Sequence, residues 1–244
     1  MSRSLLRLSG TDVRDFLQGL VTNDVAKLEH GAVYAAILTP QGKFLADFFL
    51  FAERTDVLMD VAEDQAVGLN TRLGMYKLRA DVTITTEARH LHRGLGDVPA
   101  DGWTDPRHEA MGWRAWRDTE QLDDPVDWDA LRVEHMIPAS GSELGPDSFI
   151  LEHRFEANNG VDFRKGCYVG QEVTARMKHK TELRKGLARV SITGAASSGD
   201  EITKDGKPVG KLLTRADDRA LAYLRFDRAE GEMRCGEAIV ARAD

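Results

Sequence analysis

The N-terminal part of the chain combines one helical stripe with a series of short apolar runs. Apolar side chains recur every three or four residues over Val13–Val21, which predicts a helix capped by Ser9 or Thr11 and ended by Thr22-Asn23-Asp24. The runs that follow predict three strands, a helix and a further strand, at Ala32–Leu38, Phe44–Phe51, Val57–Val61, Glu63–Tyr76 and Asp81–Thr85. A turn at Thr39-Pro40-Gln41-Gly42 joins the first two strands. This order favours helices packed over a mostly antiparallel sheet.

The C-terminal part is patterned differently, with short strands separated by frequent turn residues. The strands are predicted at Leu187–Ile192, Glu201–Thr203, Val209–Thr214, Ala220–Phe226 and Ala238–Ala241. Between the second and third of these, Asp205-Gly206 supplies the residues that a type I′ turn requires. Short strands joined by tight turns indicate a small β-barrel or sandwich.

The middle of the chain carries weaker patterns. Residues 86–125 predict irregular structure with a strand around Trp113–Trp116, and Asp127 is a suitable N-cap for a helix that runs to Met136. Gly141–Pro146 is predicted to be a loop. We therefore expect an α+β protein with three domains, at residues 1–85, 86–182 and 183–244, the last boundary falling near 181–186.

Composition and charge narrow the classes of function. The 244 residues are 42% hydrophobic and 30% charged, as in ordinary globular proteins with a substantial core. The net charge of −7 argues against nucleic acid as a partner. No apolar run approaches the roughly 18 residues that cross a bilayer, so a membrane is not an expected partner either. The first residues lack the features of a cleavable signal, and we expect a cytoplasmic location.

The charge is unevenly distributed. Arg164–Lys185 contains seven basic residues against two acidic ones. Such a window is either a solvated basic loop and helix end or a local anion site suited to a small polycarboxylate ligand. Both interpretations remain open from the sequence.

The two cysteines, Cys167 and Cys235, lie far apart in the sequence, and a cytoplasmic protein keeps its thiols reduced. No C-x-x-C pair is present, so we predict no metal site and no iron–sulfur site held by the chain's own cysteines. Flanking glycines and the preceding Arg164 and Lys165 favour an accessible, reactive thiolate at Cys167, as does a predicted helix over Val169–Met177. The alternative is a small cysteine buried in the core. No histidine has a spacing that nominates it as the base of a thiol hydrolase.

The run Lys165-Gly166-Cys167-Tyr168-Val169-Gly170-Gln171-Glu172 resembles the signature of the YgfZ family, folate-binding proteins linked to iron–sulfur cluster synthesis and repair. Further resemblance extends over most of the chain, at Phe16–Asp24, Gln41–Lys43, Tyr76–Val82 and Gly206–Gly210. Residues 86–125 match the family poorly.

The resemblance implies a fold similar to the glycine-cleavage T-protein, an aminomethyltransferase: a ring of α+β domains around a central channel, with a C-terminal β-barrel. It also implies tetrahydrofolate or a derivative as a non-covalent cofactor. By correspondence with the family, Glu134 and Glu152 are the candidate pterin acceptors, and Arg79 and Arg184 the candidate partners of the ligand's carboxylates. One carboxylate can accept the two adjacent N–H groups of a pterin edge. The alternative is that these acids are surface residues paired with Arg132 or Arg154.

The function implied is support of iron–sulfur cluster synthesis or repair in other enzymes through Cys167 and its motif, with client enzymes or cluster assembly proteins as partners. A folate-dependent one-carbon transferase is the alternative, and a binding module without thiol chemistry is a third possibility. The T-protein has a catalytic Asp shortly after the strand that aligns with Val82–Thr85. This chain has Thr86-Glu87-Ala88-Arg89-His90 there, which argues against aminomethyl transfer.

Overall fold

The computed structural model describes residues 2–179 and 182–243, which form two compact units. The first unit comprises Met1–Val126 and Glu156–Val173, and the second comprises Asp127–Phe155 and Thr174–Asp244. Lys180 of the basic window and position 181 of the predicted boundary lie outside the described residues. Within the described ranges, no helix has the length and apolar character needed to cross a bilayer.

The first unit is built on an antiparallel sheet in the order β2-β3-β4-β1-β5. Its strands are β1 Arg3–Ser9, β2 Val33–Leu38, β3 Phe44–Glu53, β4 Asp56–Ala62 and β5 Thr83–Glu87. The predicted element order missed β1. This strand lies between two others, and Leu5, Leu6 and Leu8 are all buried, so its apolar residues do not alternate as those of a half-exposed strand do.

Two helices and a short 3-10 helix accompany the sheet, at α1 Val13–Gln18, α2 Glu63–Lys77 and Val25–Glu29. The predicted cap of α1 was wrong. Asp12 occupies the N-cap without a side-chain cap bond, and the Thr11 hydroxyl bonds the Asp81 carboxylate instead. The helix ends before Val21, which is nevertheless fully buried in the core beneath the sheet.

Residues 86–125 are more ordered than expected. They contain β6 His90–Gly94, β7 Trp103–Thr104 and β8 Trp113–Arg117, which pair in the order β6-β8-β7. Arg114 of β8 is buried and donates to the Asp60 carboxylate of β4 at 2.7 Å. Buried, paired charges thus join this segment to the main sheet, and such charges carry no hydrophobic periodicity that a sequence could reveal.

The second unit contains α3 Trp128–His135, a 3-10 helix at Ile150–His153, and a barrel. The Asp127 side chain accepts from the Ala130 N–H at 2.9 Å, which confirms the predicted N-cap. Val133 of α3 packs with Leu187, Leu213 and Leu221 of the barrel. The last helix, α4 Gln171–His179, begins two residues after the predicted Val169 and spans the division between the two units.

The barrel is closed, with the strand order β10-β11-β12-β9-β14-β13. Its strands in the described chain are β9 Lys185–Thr193, β10 Glu201–Lys204, β11 Lys207–Ala216, β12 Arg219–Arg225, β13 Glu232–Cys235 and β14 Ala238–Arg242. The prediction missed β13, which presents just Met233 and Cys235 to the core. Asp205 and Gly206 have φ values of 50° and 71°, which confirms the predicted type I′ conformation of the turn.

Candidate functional site

The thiol of Cys167 is free and exposed, whereas Cys235 is buried in the barrel. Several residues on either side of Cys167 are buried instead: Asp162, Lys165 and Tyr168. An exposed thiol between buried neighbours excludes the alternative of a small cysteine packed in the core. We refer to residues 158–170, which carry this thiol, as the cysteine loop.

Lys165 anchors the cysteine loop to the end of α1. Its ammonium donates to the carbonyl oxygens of Gln18, at 2.8 Å, and of Val21, and it lies 5.0 Å from the centre of the Tyr168 ring. Carbonyls at a helix C-terminus lack partners within the helix and attract cations. Burial lowers the pKa of Lys165 to about 8, so the amine is mostly protonated at pH 7. The ammonium is thus bonded to α1, and the predicted effect of Lys165 on the thiol stays a prediction.

Thr22 and Asn23 hold the other side of the cysteine loop. The Thr22 hydroxyl donates to the Gly160 carbonyl at 2.7 Å, and the Thr22 carbonyl accepts from the Asp162 N–H at 3.0 Å. The Asn23 amide donates to the carbonyls of Tyr34 and Asn159, at 2.8 and 2.6 Å. The sequence assigned this pair a role in ending a helix. Both side chains are in fact buried and connect two distant segments of the chain.

Asp162 adds a further constraint. It accepts from the Arg164 N–H at 2.7 Å and forms an ion pair with Lys27 at 2.8 Å. Burial raises the pKa of Asp162, but these two donors outweigh that effect and the pKa falls below its usual value. The carboxylate is thus ionised and fixes the backbone just ahead of Lys165.

Two glycines explain how the cysteine loop meets the β2–β3 turn. Gly42 and Gly170 have φ values of 75° and 86°, a region that favours glycine. A Cβ on Gly170 would lie 2.6 Å from the Thr39 carbonyl oxygen, and one on Gly42 would lie 2.8 Å from Cβ of Val173. The motif therefore requires glycine at Gly170 for close packing. By contrast, a Cβ on Gly166 would meet no atom within 4 Å.

The last two motif residues, Gln171 and Glu172, open α4. Cys167 precedes the start of this helix by four residues, and the Gln171 N–H donates to the Tyr168 carbonyl at 3.2 Å. Glu172 lies in the first turn, where a carboxylate is favoured by the helix dipole. The thiol is thus displayed ahead of the helix, on a turn held at both ends.

Glu152, in the second unit, is buried and lines a cavity of about 800 Å³. Its Oε2 accepts from the Tyr223 hydroxyl at 2.6 Å and lies 3.8 Å from the Lys185 ammonium. No donor among the described residues reaches Oε1. The cavity, named here the barrel-edge cavity, is lined by Glu152, Met177, Glu182, Leu183, Arg184, Lys185 and Arg225. Two of the predicted folate contacts, Glu152 and Arg184, therefore share one cavity.

Glu134 has different surroundings. It lies near the end of α3 and forms ion pairs with two barrel arginines, Arg189, at 2.9 Å, and Arg219. Burial raises the pKa of Glu134, and the two arginines more than offset this and lower it. The expected alternative partners, Arg132 and Arg154, were wrong for this acid. Glu134 is not among the residues lining the barrel-edge cavity.

Arg132 instead forms an ion pair with Glu143, a buried acid that the sequence analysis did not identify. Glu143 accepts from Arg132 at 2.6 Å, from the Ala139 N–H at 2.9 Å, and from the Thr214 hydroxyl. These bonds join α3, the loop after it and β11. No signal in the sequence marks Glu143, because an acid in a polar loop is normally exposed.

Arg79, the remaining predicted folate contact, follows α2 in the first unit and is exposed. Its side chain forms no hydrogen bond or ion pair with the described residues. The segment that lacks the T-protein's Asp carries Glu87, which is bound by Arg7 at 2.6 Å and by Arg89 at 3.4 Å. In residues 2–179 and 182–243, no three His, Cys, Asp or Glu side chains cluster as a metal site requires.

Comparison with known proteins gives a consistent family. Residues 184–243 match the family model for the CAF17 C-terminal beta-barrel domain. The chain is 31% identical to mouse iron–sulfur cluster assembly factor IBA57, mitochondrial, over 95% of this chain and 78% of that protein. The human protein of the same name is 28% identical over the same shares. The Neurospora crassa homolog is 32% identical over 84% of this chain, which spans 55% of its length.

The fold is that of an aminomethyltransferase. Glycine cleavage system aminomethyltransferase T from Bartonella henselae superposes with a TM-score of 0.76 over 99% of this chain and 83% of that one, at 13% identity. This confirms the predicted α+β, aminomethyltransferase-like fold with its C-terminal barrel. The predicted cytoplasmic location is contradicted, because the relatives matched by sequence are mitochondrial proteins by name. By identity and coverage, the chain belongs to the family of the iron–sulfur cluster assembly factor IBA57.

Proposed function

We propose that this protein supports the assembly or repair of iron–sulfur clusters in other proteins, with Cys167 as its reactive group and a folate as its ligand. The observation that carries the proposal is the exposed thiol on a loop whose flanks are buried and hydrogen-bonded. The names of the relatives support the iron–sulfur role. The cysteine motif supports a more specific likeness to YgfZ within this group.

A single exposed thiol suits work on a partner's cluster. The thiolate is both a nucleophile and a metal ligand, but one thiolate supplies just one of the four ligands that a cluster commonly takes. The other described cysteine, Cys235, is buried in the barrel and offers no second ligand at the surface. The remaining ligands would come from a client enzyme or a cluster assembly protein, and an anchored loop would present the sulfur to that partner at little cost in chain entropy.

The barrel-edge cavity supports the folate part of the proposal. Its volume of about 800 Å³ lies within the usual range of small-molecule sites. Glu152 Oε1 is available to accept N–H groups of a pterin, and Arg184 is available for a carboxylate of the ligand. Glu134 would first have to release two arginines, so Glu152 is the better pterin acceptor. Arg79 belongs to the first unit and is not among the residues that line this cavity.

The thiol role is tested in cells that lack the native gene. Cells carrying Cys167→Ser are expected to lose the iron–sulfur enzyme activities that the wild-type chain restores, because serine cannot replace a thiolate. Cys235→Ala is the matched control, since it removes the buried thiol and leaves the exposed one. Full activity with Cys167→Ser, at wild-type protein levels, would remove the thiol from the proposal.

The folate role is tested separately, by calorimetric titration of tetrahydrofolate into the purified protein. Glu152→Gln is expected to weaken binding by about tenfold or more, since a charge-assisted hydrogen bond contributes roughly 1.5–3 kcal/mol. Glu134→Gln, at an acid already paired with arginines, is expected to have a smaller effect. If the wild-type protein does not bind tetrahydrofolate, the cofactor is excluded.

A further inference from the structure

The outward face of α2 is apolar, although the outer face of a surface helix is normally polar. Val67, Met75 and Leu78, the residue that follows the helix, are 79%, 62% and 88% exposed. Thr71 lies between Val67 and Met75 on the same side, because residues four apart are neighbours on a helix. Its hydroxyl donates to the Val67 carbonyl at 2.9 Å, so this polar group is satisfied within α2 itself. The inward face of the helix packs in the core through Ala66, Leu69 and Leu73.

Two glycines, Gly68 and Gly74, lie on the same outward face, three residues before and three after Thr71. Neither has the positive φ that favours glycine, and a Cβ on either would meet no atom within 4 Å. Glycine inside a helix destabilises it relative to alanine. The helix and its packing within the chain therefore do not account for these glycines, whereas a second helix that approaches closely would.

The two ends of α2 carry opposite charges. Glu63 begins the helix, and Arg79 follows its last residue by two positions. Both side chains are exposed, and neither has a hydrogen bond or ion pair within the part of the chain that the structure describes. Asp64 and Lys77 add a second charge of the same sign at each end.

These features make the outward face complementary to itself. Val67 and Met75 lie four residues on either side of Thr71, and Glu63 and Arg79 lie eight residues on either side. Two antiparallel copies of α2 that meet at Thr71 would therefore place Val67 of one copy against Met75 of the other. Glycine would face glycine, and each Glu63 would lie near the Arg79 of the second copy. A twofold axis generates such a contact from one surface.

We infer that the outward face of α2 is an interface between two copies of this chain, packed antiparallel about a twofold axis beside Thr71. The pairing removes Val67 and Met75 from water and brings the uncompensated acids of each copy to the cations of the other. This inference is independent of the proposed function. The face of one 15-residue helix is small, so the dimer is weak, with a dissociation constant on the order of 10 µM.

Sedimentation velocity of the full-length protein, from about 1 to 200 µM, spans this constant and tests the interface. The wild type is expected to change from monomer to dimer over this range. Met75→Glu is expected to weaken the dimer by about tenfold or more, because it places two carboxylates in an apolar contact. Leu122→Glu is the matched control, since Leu122 is 95% exposed and lies outside α2, and it should dimerise as the wild type does.

Charge reversal tests the antiparallel pairing. Glu63→Lys is expected to weaken the dimer by about tenfold, because two symmetry-related attractions become repulsions. Adding Arg79→Glu to this variant should restore the wild-type dissociation constant, since the pairs form again with their signs exchanged. Parallel helices would not give this rescue, because each charge would then face its own copy.

Circular dichroism verifies that each variant is folded, as expected for substitutions at exposed positions. A wild-type protein that stays monomeric at every concentration would overturn the interface. A dimer that Met75→Glu leaves unchanged, or that Leu122→Glu weakens as much, would also overturn it. Failure of the double charge reversal to restore the dimer would overturn the antiparallel arrangement.

Discussion

The cysteine loop and the barrel-edge cavity differ in how far their charged side chains are bonded within the protein. In the cysteine loop, Lys165 and Asp162 are buried and bonded to protein groups, and the thiol of Cys167 is left facing outward. In the cavity, Arg184, Lys185 and Arg225 are exposed. The nearest carboxylates lie 3.8 Å from the Lys185 ammonium and 3.7 Å from the Arg225 guanidinium. The first arrangement fixes one sulfur atom in place at the surface, and the second leaves positive charge exposed at the edge of a cavity. Bonding within the protein thus distinguishes side chains that hold a segment in place from side chains that remain available for other contacts.

The comparison predicts first that Lys165 is a structural anchor. Lys165→Met is expected to lower the free energy of unfolding by about 3 kcal/mol, because the carbonyls of Gln18 and Val21 would be left without their donor. Lys207→Met, at an exposed lysine, should change it by less than about 0.5 kcal/mol. Urea unfolding measures both values. Equal stability of the two variants would contradict the anchoring role.

The second prediction concerns a buried group beside the cavity. His153 stacks on Tyr223 with ring centres 5.3 Å apart, and burial lowers the pKa of His153 to about 4. As the pH falls below about 6.5, the unfolded chain therefore binds a proton that the folded one does not, and stability is lost down to about pH 4. The loss amounts to about 3 kcal/mol.

His153→Phe keeps the stacked ring and removes this titration, so the free energy of unfolding should fall less between pH 7 and pH 4.5. His30→Gln, at an exposed histidine, is the control and should behave as the wild type does. Parallel pH profiles for wild type and His153→Phe would show that burial of this imidazole has no part in the acid sensitivity.

A third prediction uses the two glycines that flank the thiol. Gly170→Ala places a Cβ against the Thr39 carbonyl at a positive φ, and should destabilise the protein by about 2 kcal/mol. Gly166→Ala meets open space and should change stability by less than about 0.5 kcal/mol. Thermal unfolding of the two variants tests this difference. A larger loss of stability in Gly166→Ala than in Gly170→Ala would rule out close packing of Gly170 as the reason for this glycine.

Local signals in the sequence predicted local features well. The Asp127 cap and the Asp205-Gly206 turn depend on residues close together in the chain, and the structure confirms them. The Val13–Val21 stripe predicted a helix that does form, but it ends at Gln18. Cys167 was expected to be accessible because glycines and charged residues surround it, and it is exposed. The central strand β1 was missed because a strand buried on both faces shows no alternation.

Long-range pairings were beyond a single sequence. The Thr22 hydroxyl bonds a carbonyl 138 residues away, and nothing in its neighbourhood predicts that partner. The same holds for Glu143 and for the opposition of Lys185 and Arg225, which depend on barrel register. The family resemblance identified candidate residues at both sites. Their contacts in the structure then distinguish the residues that anchor the backbone from those that remain exposed.

Alkylation of the folded protein with iodoacetamide, followed by peptide mass spectrometry, shows whether an anchored loop presents the Cys167 thiol outward. We expect Cys167 to be modified in the native protein, whereas Cys235 should react only after unfolding in urea. Protection of Cys167 until the protein unfolds would mean that the thiol is not presented at the surface.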